Sequence, residues 1–256
     1  MLEAKHFYYD ATFEGLLTAV FKVFEYKLST VILSKSTAAQ EHLFLEAETV
    51  ITDLEQSSRV WDGLCKKLSK NGTQMLYHVF LSEIEYSDQL ILEFCIAIFQ
   101  GKAIEFDVAH PITSQLLKIK KKVSRERHRM TAFVRFRLTK DHIYFASIEP
   151  DFNVLPLISS HFKKRYADQE WLIYDVKRHY GISYNLKEVS VVDFEFHNQL
   201  DVFKTSTDFF ALEEIEFQTL WQSYFKSVTI ASRKNLKLHT QHVPKRYWKY
   251  LSEKQQ

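Results

Sequence analysis

The stretch KIKKKVSRERHRMTAFVRFRLTKDHIYFASIEPDFNVLPLISSHFKKRYADQEWLIYDVKRHYGISY, residues 118–184, decides the fold, because its hydrophobic period changes more than once along its length. At about 100° per residue, Ile112, Leu116, Ile119, Val123 and Met130 form one apolar stripe. Lys118, Lys122, Arg125 and Arg129 stack on the opposite side. A helix ordered in this way packs on one face and offers cations on the other. Such a face suits a polyanion, and it equally suits plain solvation.

After Met130 the period becomes alternating. Phe133, Arg135 and Arg137 fall on one side of an expected strand, and Ala132, Val134, Phe136 and Leu138 on its core side. A hairpin through Lys140 and Asp141 leads into a second strand, His142 to Ile148, where Arg135 and Arg137 share a face with Tyr144 if the register holds. Arginines beside aromatics on a sheet suit phosphate pairing and base stacking; the same pattern also describes a solvated outer face.

Glu149-Pro150-Asp151 breaks that strand, and Asp151 or Asn153 can cap a helix beginning near Val154. Leu157, Ile158, His161, Phe162 and Arg165 line one side of it. His161 reads as a core histidine or, one turn from Arg165, as an anion contact. The next strand, Trp171 to Val176, puts Asp175 on the side of Trp171 and Ile173, where a buried carboxylate needs a partner such as Arg178.

These motifs carry a resemblance. ERHRM with FVRF, then EPDFNVLPLISSHFKKRYADQEWLIYDVKRHYGISY, and later LWQSYFKSVTIASRKN and VPKRYWKYL, resemble a family of uncharacterised bacterial proteins labelled as DNA metabolism or DNA repair proteins. The likeness begins at YYDATFEGLLTAVF and covers nearly the whole chain. It implies DNA as a partner. It also implies the company of a radical SAM protein, or of the uracil-DNA glycosylase-like domains to which a related domain is fused. It brings no established reaction, so no catalytic residue is carried over from it.

At 256 residues, 46% hydrophobic and 15% aromatic, the chain can bury a large core as one unit, 1–256. If it divides, His110-Pro111 is the place, leaving a mainly helical acidic section (1–110) and a basic α+β section (111–256). The net charge of +2 conceals that contrast. Residues 1–110 hold 9 Lys or Arg against 16 Asp or Glu, and residues 111–256 hold 25 against 16. The acidic section, with Glu83, Glu85 and Asp88, suits a protein partner better than DNA.

Within the first section, a strand Phe7–Tyr9 leads through Asp10 or Thr12 to a helix burying Leu16, Leu17, Val20, Phe21 and Phe24. Gly15 permits a close approach by another segment. Strands are expected within His42–Thr52, a helix from Asp53 or Ser57 to Leu68, a turn at Asn71-Gly72, and helices over Leu76–Ile84 and Ser87–Gln100. Further on come a strand Val189–Phe196, a polar connection Asn198–Asp208 and a long helix from Glu213. Phe217, Leu220, Trp221, Tyr224, Phe225 and Val228 share one side of that helix, as core or as a protein interface. Arg233, then Lys245, Arg246 and Trp248 in a short helix opened by Pro244, make a basic aromatic tail. It is either a second nucleic-acid contact or a docked terminal helix.

The expected fold class is therefore α+β, with a helical N-terminal section and an antiparallel sheet flanked by helices in the C-terminal half. No P-loop, dinucleotide fingerprint, HExxH or CxxC occurs, so neither a nucleotide cofactor nor a metal is expected. Two isolated cysteines and the lack of a long apolar run fit a cytoplasmic protein outside the membrane. The nucleic-acid surface is expected to comprise Lys118, Lys122, Arg125, Arg129, Arg135, Arg137, Arg165, Arg178, Arg233, Lys245, Arg246 and Trp248. An enzyme acting on damaged DNA bases would draw on Glu126, His161 and Asp175 as acids or bases. A protein-binding adaptor is the third reading.

Overall fold

Seven of the eight strands described in the computed structural model lie beside a strand that is neighbouring in sequence or joined to it by one helix. The structure describes residues 5–36, 47–193, 210, 211, 214, 217, 220 and 240–254. The chain divides into two compact units, Met1–Ser124 and Arg125–Gln256.

In the first unit, β1 (Lys5–Tyr9) lies between β2 (Val31–Lys35) and β3 (Ala47–Thr49), and both pairings are parallel. Parallel neighbours need a crossover, which α1 (Phe13–Glu25) supplies between β1 and β2. Thr12 caps α1 by accepting the Gly15 N–H. Gly15 has no room for a side chain, since a Cβ there would lie 2.2 Å from Asp10 Oδ1. Leu16, Leu17 and Val20 are buried as expected, but Phe24 is 41% exposed. The apolar stripe of α1 turns past its own core before the helix ends.

Asp53 caps α2 (Leu54–Lys67), α3 spans Lys70–Phe80 and α4 spans Ser87–Phe99. Asn71-Gly72 is not a turn; it is the first turn of α3, opened by Ser69. The glycine serves a different purpose, because a Cβ would lie 2.4 Å from Glu105 Oε1, the carboxylate that accepts the Ser69 hydroxyl. Asp88 is buried, taking the Tyr9 hydroxyl at 2.7 Å and Lys35 Nζ at 3.3 Å, so it is no part of an acidic surface; Glu83 and Glu85 are exposed. Cys95 is fully buried in α4, and burial pushes its thiol up to about 12.

The helix α5 (Pro111–Phe133) contains the division between the units. Leu116, Ile119, Val123 and Met130 are buried along it as the spacing requires. It runs on to Phe133, through the start of the expected strand. Only Arg137–Leu138 pair as β4, and Phe133, still in the helix, packs on Tyr247 with ring centroids 5.4 Å apart.

The second unit holds a five-stranded sheet in the order β4-β5-β6-β7-β8, where β5 is Tyr144–Ile148, β6 Trp171–Asp175, β7 Tyr180–Tyr184 and β8 Val189–Asp193. All neighbours are antiparallel except β5 and β6, which run parallel and are joined through α6 (Leu155–Arg165). The chain is thus α+β, with a helical N-terminal part and a mostly antiparallel sheet in its C-terminal half. Phe162 of α6 packs on Trp171, and Phe136 meets Phe162, Tyr166 and Trp171 while staying half-buried. The expected alternation does not hold around it: Ala132 is exposed, Val134 and Leu138 are half-buried, and Arg137 is the buried residue.

Residues 194–200 and the polar connection Asn198–Asp208 lie outside the described residues. So do Trp221, Tyr224, Phe225, Val228 and Arg233; Phe217 and Leu220 are each 65% exposed. Among the described residues no helix is long and apolar enough to cross a membrane.

Candidate functional site

Parallel pairing brings the carboxyl ends of β5 and β6 together, with Ile148 opposite Asp175. Each strand leaves the sheet there through a short loop rich in charge. One is Glu149-Pro150-Asp151, and the other is the turn Val176–His179 into β7.

Asp175 is 0% exposed and organises this second turn. Its Oδ1 accepts the backbone N–H groups of Lys177 (2.9 Å) and Arg178 (3.2 Å), and its Oδ2 accepts the Arg178 guanidinium at 2.8 Å. Burial pushes its carboxyl above the usual aspartate range, against the opposing pull of Arg178 and the two N–H groups. The guanidinium then reaches across to the carbonyl oxygens of Pro150 and Asp151, both at 3.2 Å. Arg178 is therefore a clamp between two loops.

Glu126, 1% exposed on α5, holds the first loop from the other side. Its Oε1 accepts the Asp151 N–H at 3.0 Å and the Tyr247 hydroxyl, and its Oε2 faces Arg129 and Arg246, each at 3.5 Å. The 3-10 segment Lys245–Tyr250 closes over this assembly. From it Arg246 pairs with Asp151 at 2.5 Å, and Lys249 and Tyr250 both reach Glu149 at 2.5 Å. Hydrogen bonds from Lys249 and Tyr250 hold the Glu149 carboxyl below the usual glutamate range. Tyr247 and Tyr250 are buried, so the tail is a docked terminal element.

This arrangement reads as a clasp. Glu126 and Asp175 are both shielded from solvent, and the bonds they accept come from the chain's own N–H, hydroxyl and guanidinium groups. His161 is apart from them in character: it is exposed on α6, its ring edge-on to Phe162 with centroids 5.1 Å apart. No hydrogen bond among the described residues joins His161 to Glu126 or Asp175.

The arginines expected on an open sheet face have other tasks. Arg137 is only 8% exposed, opposite Phe145 in the ladder rather than Tyr144, with its guanidinium 4.2 Å from the Phe210 ring centroid. Arg135 donates to Glu253 (2.9 Å) and to the carbonyls of Ala132 and Val134. Asp151 and Asn153 do not cap α6, whose N-cap is Val154; Asn153 takes the Tyr180 hydroxyl and Asp151 takes Arg246. The tail's Trp248 donates its indole N–H to the Val243 carbonyl. Spacing did not point to Glu149, Tyr247 or Tyr250 as members of the cluster. The signals available were the charged Glu-Pro-Asp break and the tyrosines recurring at i and i+3 in the tail.

A second feature remains open to solvent. Lys118, Lys121, Lys122, Arg125 and His128 are all exposed along α5, on the side away from its buried stripe. Among the described residues no carboxylate forms an ion pair with Lys118, Lys121, Lys122 or Arg125. Arg165 and Lys245 are likewise exposed.

A family model described as a domain of unknown function, DUF4130, matches residues 85–253. No curated protein matches the chain. A solved structure titled as a pGpG-specific phosphodiesterase, PggH, of Vibrio cholerae is similar at a TM-score of 0.31 and 8% identity, over 70% of this chain and 80% of that one. A likeness so slight bears on neither fold nor function.

Proposed function

Because the chain belongs to the DUF4130 family, a domain of unknown function, its activity has to be read from its own surface, and we propose that it is a nucleic-acid-binding protein of DNA metabolism. The cationic face of α5 carries this reading. Buried and paired cations stabilise a fold, whereas Lys118, Lys122 and Arg125 are exposed and free of ion pairs among the described residues, at helical spacing that puts them side by side. Such a row releases counterions from a phosphate backbone. DNA is named as the nucleic acid by the sequence's resemblance to DNA metabolism proteins. A companion enzyme of the radical SAM or uracil-DNA glycosylase-like kind would supply the chemistry, this chain the hold on the substrate.

The clasp at Glu126 and Asp175 supports a binding protein over an enzyme, since its carboxylates are occupied by internal donors. The test is fluorescence anisotropy with labelled DNA over a range of salt. Changing Lys118, Lys122 and Arg125 together to Gln is expected to weaken binding and to flatten the log-log salt dependence by roughly 0.7 to 0.9 per phosphate released. Unchanged affinity with an unchanged slope would show that this face is merely solvated.

A further inference from the structure

The cations that are left exposed on α5 differ in kind from those drawn into the clasp, and the difference bears on what part of a nucleic acid this protein can grip. Lys118, Lys121, Lys122, Arg125 and His128 fall within about 120° of the helix circumference and span about 15 Å of its axis. From Ser114 to Ala132 that arc carries no carboxylate and, apart from the His128 imidazole, no aromatic ring. Three of its five exposed basic members are lysines, which act as point charges; Arg125 is its one exposed arginine, since Arg129 is half-buried against Glu126. Of the other arginines expected at the surface, Arg135, Arg137, Arg178 and Arg246 are engaged by Glu253, by the Phe210 ring, by Asp175 and by Asp151, while Arg165 is exposed on α6, off this face.

Two ways of reading bases are thereby sparsely equipped on this face, with Arg125 alone for the first and His128 alone for the second. Base edges are read by planar, bidentate groups, chiefly Arg on guanine and Asn or Gln on adenine. Single strands are held by aromatic platforms on which bases stack. What the face does have is a dense row of point charges along one helix, and the ligand matching that best is the polyanion of highest linear charge density. A duplex carries twice the charge per unit length of one of its strands.

We infer that the α5 face grips a nucleic-acid duplex by its phosphates alone, without reading sequence. This rests on the nucleic-acid-binding reading above and specifies the substrate of the same surface. Selection of a DNA site then falls to other parts of the protein or to a companion.

The experiment measures anisotropy with two short labelled DNA duplexes of unrelated sequence and with each of their separated strands, in a series of salt concentrations. Both duplexes are expected to bind equally within twofold, and each more tightly than its strands. The log-log salt slope for a duplex should be roughly −3.6, four phosphates being held by Lys118, Lys121, Lys122 and Arg125, and Lys118→Gln, Lys121→Gln, Lys122→Gln or Arg125→Gln should each make it shallower by roughly 0.9. A strand that binds more tightly than its duplex, or a preference beyond tenfold for one duplex, would overturn the phosphate-only inference while leaving nucleic-acid binding intact. Absence of binding to every probe at low salt would overturn both.

Discussion

Arg178 holds the fully buried carboxylate of Asp175 at 2.8 Å and also donates to the carbonyls of Pro150 and Asp151. Removing one partner of such a pair strands the other charge, which costs about 3 to 5 kcal/mol. Asp175→Asn is therefore expected to destabilise the protein by about 3 kcal/mol in urea denaturation, the low end because the amide oxygen still accepts a turn N–H. His161→Ala, on an exposed helix face, should cost about 0.5 kcal/mol or less. Together the two should add to within about 0.5 kcal/mol, as independent sites do. Strong coupling between them would instead mark a shared catalytic unit.

Tyr247→Phe isolates the contribution of the tail. The hydroxyl it removes donates to Glu126 and accepts from Arg246, while the ring keeps its packing on Phe133. Glu126 retains the Asp151 N–H and its two arginines, so the expected loss is about 1.5 kcal/mol, the low end for one buried hydrogen bond to a charged group. The tail should also become a better protease substrate near Lys245 and Arg246, before the rest of the unit is cut. Simultaneous cleavage of both would mean that the tail and the sheet unfold as one.

Stability should depend on pH through two carboxylates of opposite sign. Glu149 has its folded value depressed by Lys249 and Tyr250, so its contribution is present above the ordinary glutamate range and is lost as pH falls through the folded value. Asp175 has its folded value raised by burial, so its contribution is greatest at low pH and declines as pH rises from the ordinary aspartate range through the folded value. Unfolding free energy measured across the acid range should thus lose its Glu149 component in Glu149→Gln, steepening any remaining rise toward low pH. A profile identical in the variant would mean that Lys249 and Tyr250 leave the Glu149 carboxyl unperturbed in solution.

Much of this fold was legible in the residues, and the elements that were not share a cause. The stripe of Leu116, Ile119, Val123 and Met130, the caps Thr12 and Asp53, and the Asp175–Arg178 pair all follow from interactions within a few positions of each other. The strand Val31–Lys35 and the parallel sheet around β1 were not, because VILSK is too short to show a period and its partners are distant in the chain. The start of the alternating pattern at Phe133 is helical instead, and its ring packs on Tyr247, more than a hundred positions away. At the site, periodicity set Lys118, Lys122 and Arg125 on the exposed side of α5, whereas Arg129, expected beside them, is half-buried against Glu126. It could not tell free arginines from occupied ones, since Glu253, Phe210 and Asp151 reach Arg135, Arg137 and Arg246 only through tertiary folding.

Gly15 provides the sharpest test of the first unit, because two effects of known sign oppose each other there. Replacing a helical glycine by alanine gains about 1 kcal/mol of helix propensity. Here the new Cβ would lie 2.2 Å from Asp10 Oδ1, 2.8 Å from Thr52 Oγ1 and 3.0 Å from Thr12 Oγ1. Asp10 cannot yield cheaply, since it accepts the Thr12 and Thr52 hydroxyls at 2.6 and 2.7 Å and so ties the N-terminus of α1 to the segment after β3. Overpacking of this kind costs about 1 to 3 kcal/mol. Gly15→Ala should accordingly be destabilising on balance, by about 1 kcal/mol or more, despite its better propensity. In an Asp10→Ala background the nearest oxygen is gone and the Thr52 and Thr12 hydroxyls, at 2.8 and 3.0 Å, lose the acceptor that fixed them, so the same substitution should cost less, with a coupling of about 1 kcal/mol in a double-mutant cycle. Additive behaviour of the two changes would show that Asp10 does not stand where the geometry puts it.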